Sequence, residues 1–113
     1  MKDKITFSEF IELEKKLEIK SGEVKEVTEV PKSSKLIKLI VDFGDEDIRT
    51  VVTNIKTLLG ESFKEKLEGK NILFITNLEP VKMMGIESTA MIMPGELEKD
   101  ILLTVSDSGI KLL

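Results

Sequence analysis

LEIKSGEVKEVTEV, Leu17 to Val30, holds two apolar phases in one extended run. Leu17 and Ile19 alternate, the phase slips at Ser21 and Gly22, and Val24, Val27 and Val30 resume it. A glycine at a phase slip predicts a long strand that bends or bulges there. On its N-terminal side, ITFSEFIELEKKL reads as a short helix. Thr6 followed by Glu9 is the capping-box pattern, Ile5 and Phe10 have staple spacing, and Phe7, Phe10, Ile11 and Leu17 lie near one face. On its C-terminal side, KLIKLIVDF (Lys35 to Phe43), the turn GDED and IRTVVT (Ile48 to Thr53) form a hairpin. NIKTLLGESFKEKLEGK follows as a loop with a short helix, capped by Ser62 and ended by Gly69. NILFITNL (Asn71 to Leu78) and STAMIM (Ser88 to Met93) are the fourth and fifth strands. DILLTVSDSGIKLL adds one more strand, Ile101 to Val105, and a terminal apolar segment.

Three strands with a long, bent first member, a short helix and two further strands make this an all-β chain with minor α. The order is that of an OB-fold, a partly open five-stranded Greek-key barrel. At 113 residues one domain is expected, with the helix in 1–16, the barrel in 17–93 and a C-terminal extension in 94–113. The helix and the last strand are extra to the barrel. They need a surface to cover, either their own barrel or a second subunit.

The composition, 41% hydrophobic and 34% charged, is ordinary for a soluble globular domain. No apolar run approaches a membrane span and MKDKITFSEF lacks a signal-peptide core, so a cytoplasmic location is expected. Cys and His are absent, which removes disulfides, zinc sites built from them, cysteine nucleophiles and histidine bases. Neither a P-loop nor a GxGxxG follows a strand. No enzyme, cofactor or metal is expected, and the acidic GDED, Gly44 to Asp47, reads as a solvated hairpin turn.

The net charge of −4 argues against a polyanionic partner, but its distribution softens the objection. Residues 42–50 sum to −3 and residues 94–113 to −2, leaving +1 for the rest. In an OB-fold the ligand lies across strands 2 and 3, between the loop joining strands 1 and 2 and the loop joining strands 4 and 5. Here those loops are EVPKSSK (Glu29 to Lys35) and NLEPVKMMGIES (Asn77 to Ser88). They bring Lys32, Lys35 and Lys82 toward one rim, with Arg49, the only arginine, nearby on strand 3. Lysines suit phosphates, and Asn77 and Ser88 suit hydrogen bonds to sugar or base edges. Pro80 fixes the exit from strand 4, and Gly85 permits a backbone conformation that other residues resist. The alternative makes Met83, Met84 and Met91 barrel-mouth core and Lys82 a solvated loop charge.

The pattern N-L-x-P-x-K-x-x-G-x-x-S-x-x-M, formed by Asn77, Leu78, Pro80, Lys82, Gly85, Ser88 and Met91, resembles the signature of the tRNA-binding domain family. That family includes free-standing dimeric tRNA-binding proteins, the C-terminal domain of methionyl-tRNA synthetases and CsaA-type chaperone-like proteins. The resemblance runs from FSEFIELEKKLEIKSGEV through SSKL (Ser33 to Leu36) and RTVVTNI (Arg49 to Ile55) to the C-terminal strand. It implies a homodimer that recognises folded tRNA by shape near its elbow, acting alone or beside methionyl-tRNA synthetase; no aminoacylation core fits in 113 residues. The tRNA-binding residues it implies are Lys32, Lys35, Arg49, Thr53, Asn77, Lys82, Ser88 and Met91. Ser88 would lie within hydrogen-bonding reach of RNA, with Met91 supporting the same surface from below. The chain departs from the family where a Ser-Gly pair becomes Thr53 and Asn54, and where Met83 and Met84 follow Lys82. A peptide-binding chaperone and a bare dimerisation module are the competing functions.

Overall fold

The structure is a computed structural model that describes residues 2–97, 100–103 and 111–112, with side-chain surroundings up to Met93. Helix α1 (Phe7–Lys16) starts at Thr6, whose Oγ1 accepts the Glu9 N–H at 3.1 Å and donates to the Glu9 carboxylate at 3.1 Å. This satisfies an amide that the first turn leaves without a helical partner. The expected staple is loose, since Ile5 and Phe10 both remain exposed.

Strand β1 (Ile19–Glu29) is the hub of the fold. One edge pairs antiparallel with β2 (Ile37–Asp42) through residues 23–29, and β2 pairs in turn with β3 (Ile48–Thr53). The other edge pairs with β4 (Asn71–Ile75) through residues 19–23. The bend is one residue run later than expected. Val24 opposes Val41 while Glu26 opposes Ile40, so Lys25 is the extra residue of the bulge. The Val27 amide nearby is taken by the Glu68 carboxylate at 3.2 Å. Gly22 serves close packing instead, because a Cβ there would meet Val41 Cγ1 at 2.4 Å and the Phe43 ring at 2.7 Å.

Alternation along the strands sends Val24, Val27, Ile37, Leu39, Val41, Val51, Ile72 and Phe74 into one core. Each such side chain contributes about 1.5–3 kcal/mol of burial. The segment between β3 and β4 begins earlier than the expected Ser62 cap. It comprises α2 (Lys56–Leu59), a 3-10 turn (Gly60–Ser62) and α3 (Phe63–Leu67), and Ser62 makes no side-chain cap. Leu59, Phe63 and Leu67 recur every four residues and are buried against the barrel.

The expected fifth strand, Ser88 to Met93, is divided. A hairpin of β5 (Val81–Met83) and β6 (Ile86–Ser88) comes first, and only β7 (Met91–Ile92) pairs with β4. The sheet order is therefore β3-β2-β1-β4-β7. It curls shut where the Thr89 N–H reaches Thr50 O at 3.4 Å and the Val52 N–H reaches Ser88 Oγ at 3.0 Å. The result is a mostly β, OB-like barrel with an N-terminal helix. The C-terminal extension carries more than the one expected strand. β8 (Pro94–Leu97) pairs with β9 (Asp100–Leu103), and β10 (Lys111–Leu112) pairs with Ile19 and Lys20. Thr104, Val105, Ile110 and Leu113 lie outside the described residues.

Candidate nucleic-acid interface

The loop after β1 is ordered by its own hydroxyl. Ser33 Oγ accepts the Lys35 and Leu36 N–H groups at 3.3 and 3.1 Å, while Ser33 N–H donates to Val30 O. This local turn leaves Lys32, at φ 66, and Lys35 exposed. SSKL named the segment, but Ser33 as its organiser was missed by the site reading.

The β5–β6 hairpin occupies the segment that holds Lys82, the methionine pair and Gly85. Met83 opposes Ile86, so Met84 and Gly85 form a two-residue turn with φ of 51 and 81. Two positive φ angles are what a tight hairpin with right-twisted strands needs. Gly85 meets that requirement without strain, whereas Met84 does not. The short ribbon has two unlike faces. Val81, Met83 and Ser88 line a groove of about 600 Å3 together with Leu36, Leu58, Leu78 and Met91. The intervening cross-strand pair, Lys82 and Glu87, belongs to the opposite face, where Glu87 borders a depression with Ile48, Thr50 and Thr89. The ribbon thus separates Lys82, on its charged side, from Met91, on its apolar side.

Four residues expected to meet RNA are engaged by the protein itself. Arg49 donates to both Asp47 carboxylate oxygens at 2.9 and 3.0 Å and to the carbonyls of Thr76 and Thr89 at 2.6 and 3.4 Å. Its guanidinium also lies 5.3 Å over the Phe43 ring, which meets Phe74 edge-on at 5.4 Å. These bonds tie β3 to β4 and to the segment before β7. The hydrogen bond from Arg49 holds the Asp47 carboxyl below its ordinary range, burial opposing it, and Asp47 keeps Arg49 more firmly protonated.

Asn77 accepts the Glu18 N–H at 2.8 Å and donates to Lys16 O, clamping the end of α1 to the end of β4. Ser88 is buried, its Oγ taking the Val52 N–H and donating to Ala90 O at 3.2 Å. Ser88 therefore satisfies a buried amide, where the expectation set its hydroxyl within hydrogen-bonding reach of RNA. Thr53 Oγ1 accepts the Ile55 N–H at 3.2 Å at the groove's edge. Met91, expected to support from below, is itself 55% exposed, although the alternation of Ser88, Ala90 and Ile92 inward holds. Lys32, Lys35 and Lys82 remain exposed and take part in no ion pair among the described residues. A cation that sequence reasoning did not single out, Lys56, pairs with Glu29 at 3.3 Å and sits 5.1 Å over Phe63.

A curled barrel with a hairpin at its seam defines the class of small OB-like domains. The family model described as "Putative tRNA binding domain" matches residues 19–111, and the chain belongs to that family. A methionine--tRNA ligase of Methanococcus aeolicus is 46% identical over 89 residues, covering 79% of this chain and 13% of that relative. The chain thus spans a small part of the curated relatives it matches. A MetRS-related protein from Pyrococcus horikoshii is 34% identical, with a TM-score of 0.78 over 99% of this chain and 100% of that one. A CsaA chaperone protein from Picrophilus torridus shares the fold, with a TM-score of 0.75 over 97% of this chain and 100% of that one at 23% identity. No helix among the described residues is long and apolar enough to cross a membrane.

Proposed function

We propose that this chain is a cytoplasmic, non-catalytic, homodimeric domain that binds folded tRNA near the elbow, alone or as an auxiliary subunit of methionyl-tRNA synthetase. The observation that carries this reading is the contrast among its cations. Arg49 makes four hydrogen bonds within the protein, whereas Lys32, Lys35 and Lys82 stand exposed on the loop and hairpin that flank an OB ligand face. With Trp and Tyr absent, shape and phosphate contacts suit it better than a platform of stacked bases. Dimerisation is supported by α1, which has no buried residue although Phe7, Phe10 and Leu13 line it.

A gel-shift titration with total tRNA at 50 and 200 mM salt (about the range over which counterion release is steep) tests the reading. Binding that weakens sharply with salt is expected. Salt-insensitive binding of unfolded peptide with no tRNA shift would favour the chaperone reading, for which the apolar groove is the supporting feature.

A further inference from the structure

On the charged side of the hairpin, Lys82 and Glu87 oppose each other in register, yet their side chains form no ion pair. A carboxylate therefore stands beside a lysine suited to phosphate. As a bystander it would repel a polyanion, and it becomes favourable only where the partner brings hydrogen-bond donors to it. Glu87 borders a shallow depression of about 480 Å3 together with Ile48, Arg49, Thr50 and Thr89. Arg49 is tied to Asp47, which leaves Glu87 as the uncompensated charge of that depression.

The remaining lining suits a nucleobase. Ile48 is 61% exposed and offers the flat face of a base an apolar surface, with half-buried Ile40 beside it as the register partner of Thr50. Thr50 and Thr89 add hydroxyls. That of Thr89 is screened from solvent and has no partner among the described residues. Lys38 pairs in register with Val52, which puts it diagonal to Thr50 on the same outer face of the sheet. It forms no ion pair among the described residues, so a second lysine is placed to meet phosphate near the depression.

We propose that this depression reads an unpaired guanine of the RNA, with the Glu87 carboxylate accepting its N1–H and N2–H groups. The inference rests on the tRNA-binding reading and deepens it by naming the base selected. Guanine presents two adjacent N–H donors on its Watson–Crick edge, and a carboxylate presents two acceptors. Adenine, cytosine and uracil each set an acceptor next to the donor on that edge and so turn a lone pair toward one carboxylate oxygen. A threonine hydroxyl supplies the donor for guanine O6.

Mononucleotides and one substitution test this. In 15N–1H spectra, GMP should move the amides of Thr50, Glu87 and Thr89 at roughly tenfold lower concentration than AMP or IMP, which lacks the N2 amine. Glu87→Gln, at an exposed position, should keep the parent's urea midpoint but lose this preference, since an amide puts donors where one acceptor stood. The same variant should bind total tRNA roughly tenfold more weakly, opposite in sign to the gain expected from removing a repelling charge. Unchanged or tighter tRNA binding by Glu87→Gln makes the carboxylate a bystander and overturns the proposal, as does a GMP preference that survives the substitution. Lys38→Ala should weaken GMP and AMP alike, and parent-like binding of both takes Lys38 out of the site. A parent chain that shifts tRNA while GMP moves none of these amides overturns the guanine site and leaves the tRNA reading standing. One that prefers GMP but does not bind tRNA overturns the tRNA reading and leaves the guanine site standing.

Discussion

The seam around Arg49 and the hairpin around Lys82 are both cationic places beside the barrel's closure, yet they do opposite things with their charge. Arg49 directs donors to a carboxylate and two carbonyls and rests on Phe43. Lys82 is exposed on a ribbon whose other face is apolar. The planar guanidinium suits fixed, multidentate bridging, and the ammonium on its flexible stem suits a movable phosphate contact. Residue type and nearness to a ligand face therefore do not by themselves leave a cation free for a partner. Its hydrogen bonds within the protein decide that.

Removing the seam's centre should have the largest effect. Arg49→Ala is expected to destabilise the fold by about 3 kcal/mol in urea denaturation, because it leaves Asp47 and two carbonyls without their donor. Affinity for tRNA per folded molecule should not change. A large affinity loss in a fully folded variant would put Arg49 back at the interface and erase the contrast with Lys82.

The same pair predicts a pH dependence. The folded Asp47 carboxyl titrates below its ordinary value, so its stabilisation is complete above the unfolded value of about 3.9 and is lost as pH falls through the folded one. The stability gap between the parent chain and Asp47→Asn should thus be constant from about pH 5 upward and close only in stronger acid. A gap that closes on raising the pH would contradict the pairing.

Ser88→Ala should cost about 1–3 kcal/mol of stability by leaving the buried Val52 amide unpaired, with tRNA affinity intact. The reverse outcome, lost affinity at unchanged stability, would return this serine to the RNA face. Lys82→Ala should leave the melting temperature unaltered while lowering affinity and reducing the salt slope by about one unit. Equal affinity at low salt would move the binding surface off the hairpin. Met84→Asn, which eases a positive φ at the turn, should stabilise the fold by about 0.5 kcal/mol, readable as a small shift in urea midpoint.

The barrel was legible because alternation survives in a single sequence: Ile37, Leu39 and Val41 announce their own strand and its buried face. The hairpin inside residues 77–90 was not, since its strands are three residues each and its turn pairs Gly85 with a methionine instead of the usual Asn or Asp. The exposure of the lysines was readable from loop position. The clamp made by Asn77 was not, because its partners lie 59 and 61 positions away, nor was the bridge made by Arg49, because two of its acceptors are carbonyls 27 and 40 positions on. A polar residue with remote backbone partners carries no local sign of them.

The pairing at the start of β1 has an architectural consequence. Ile19 is flanked by Ile75 on one side and Leu112 on the other, so the polypeptide enters the barrel at the place where its residue 112 also lies. Whatever chain leads into residue 19 or away from residue 112 departs from one doorway. A unit wired in this way can hang from a longer polypeptide by either end, like a bead with both threads on one side, and be regrafted during evolution without rerouting the barrel between them.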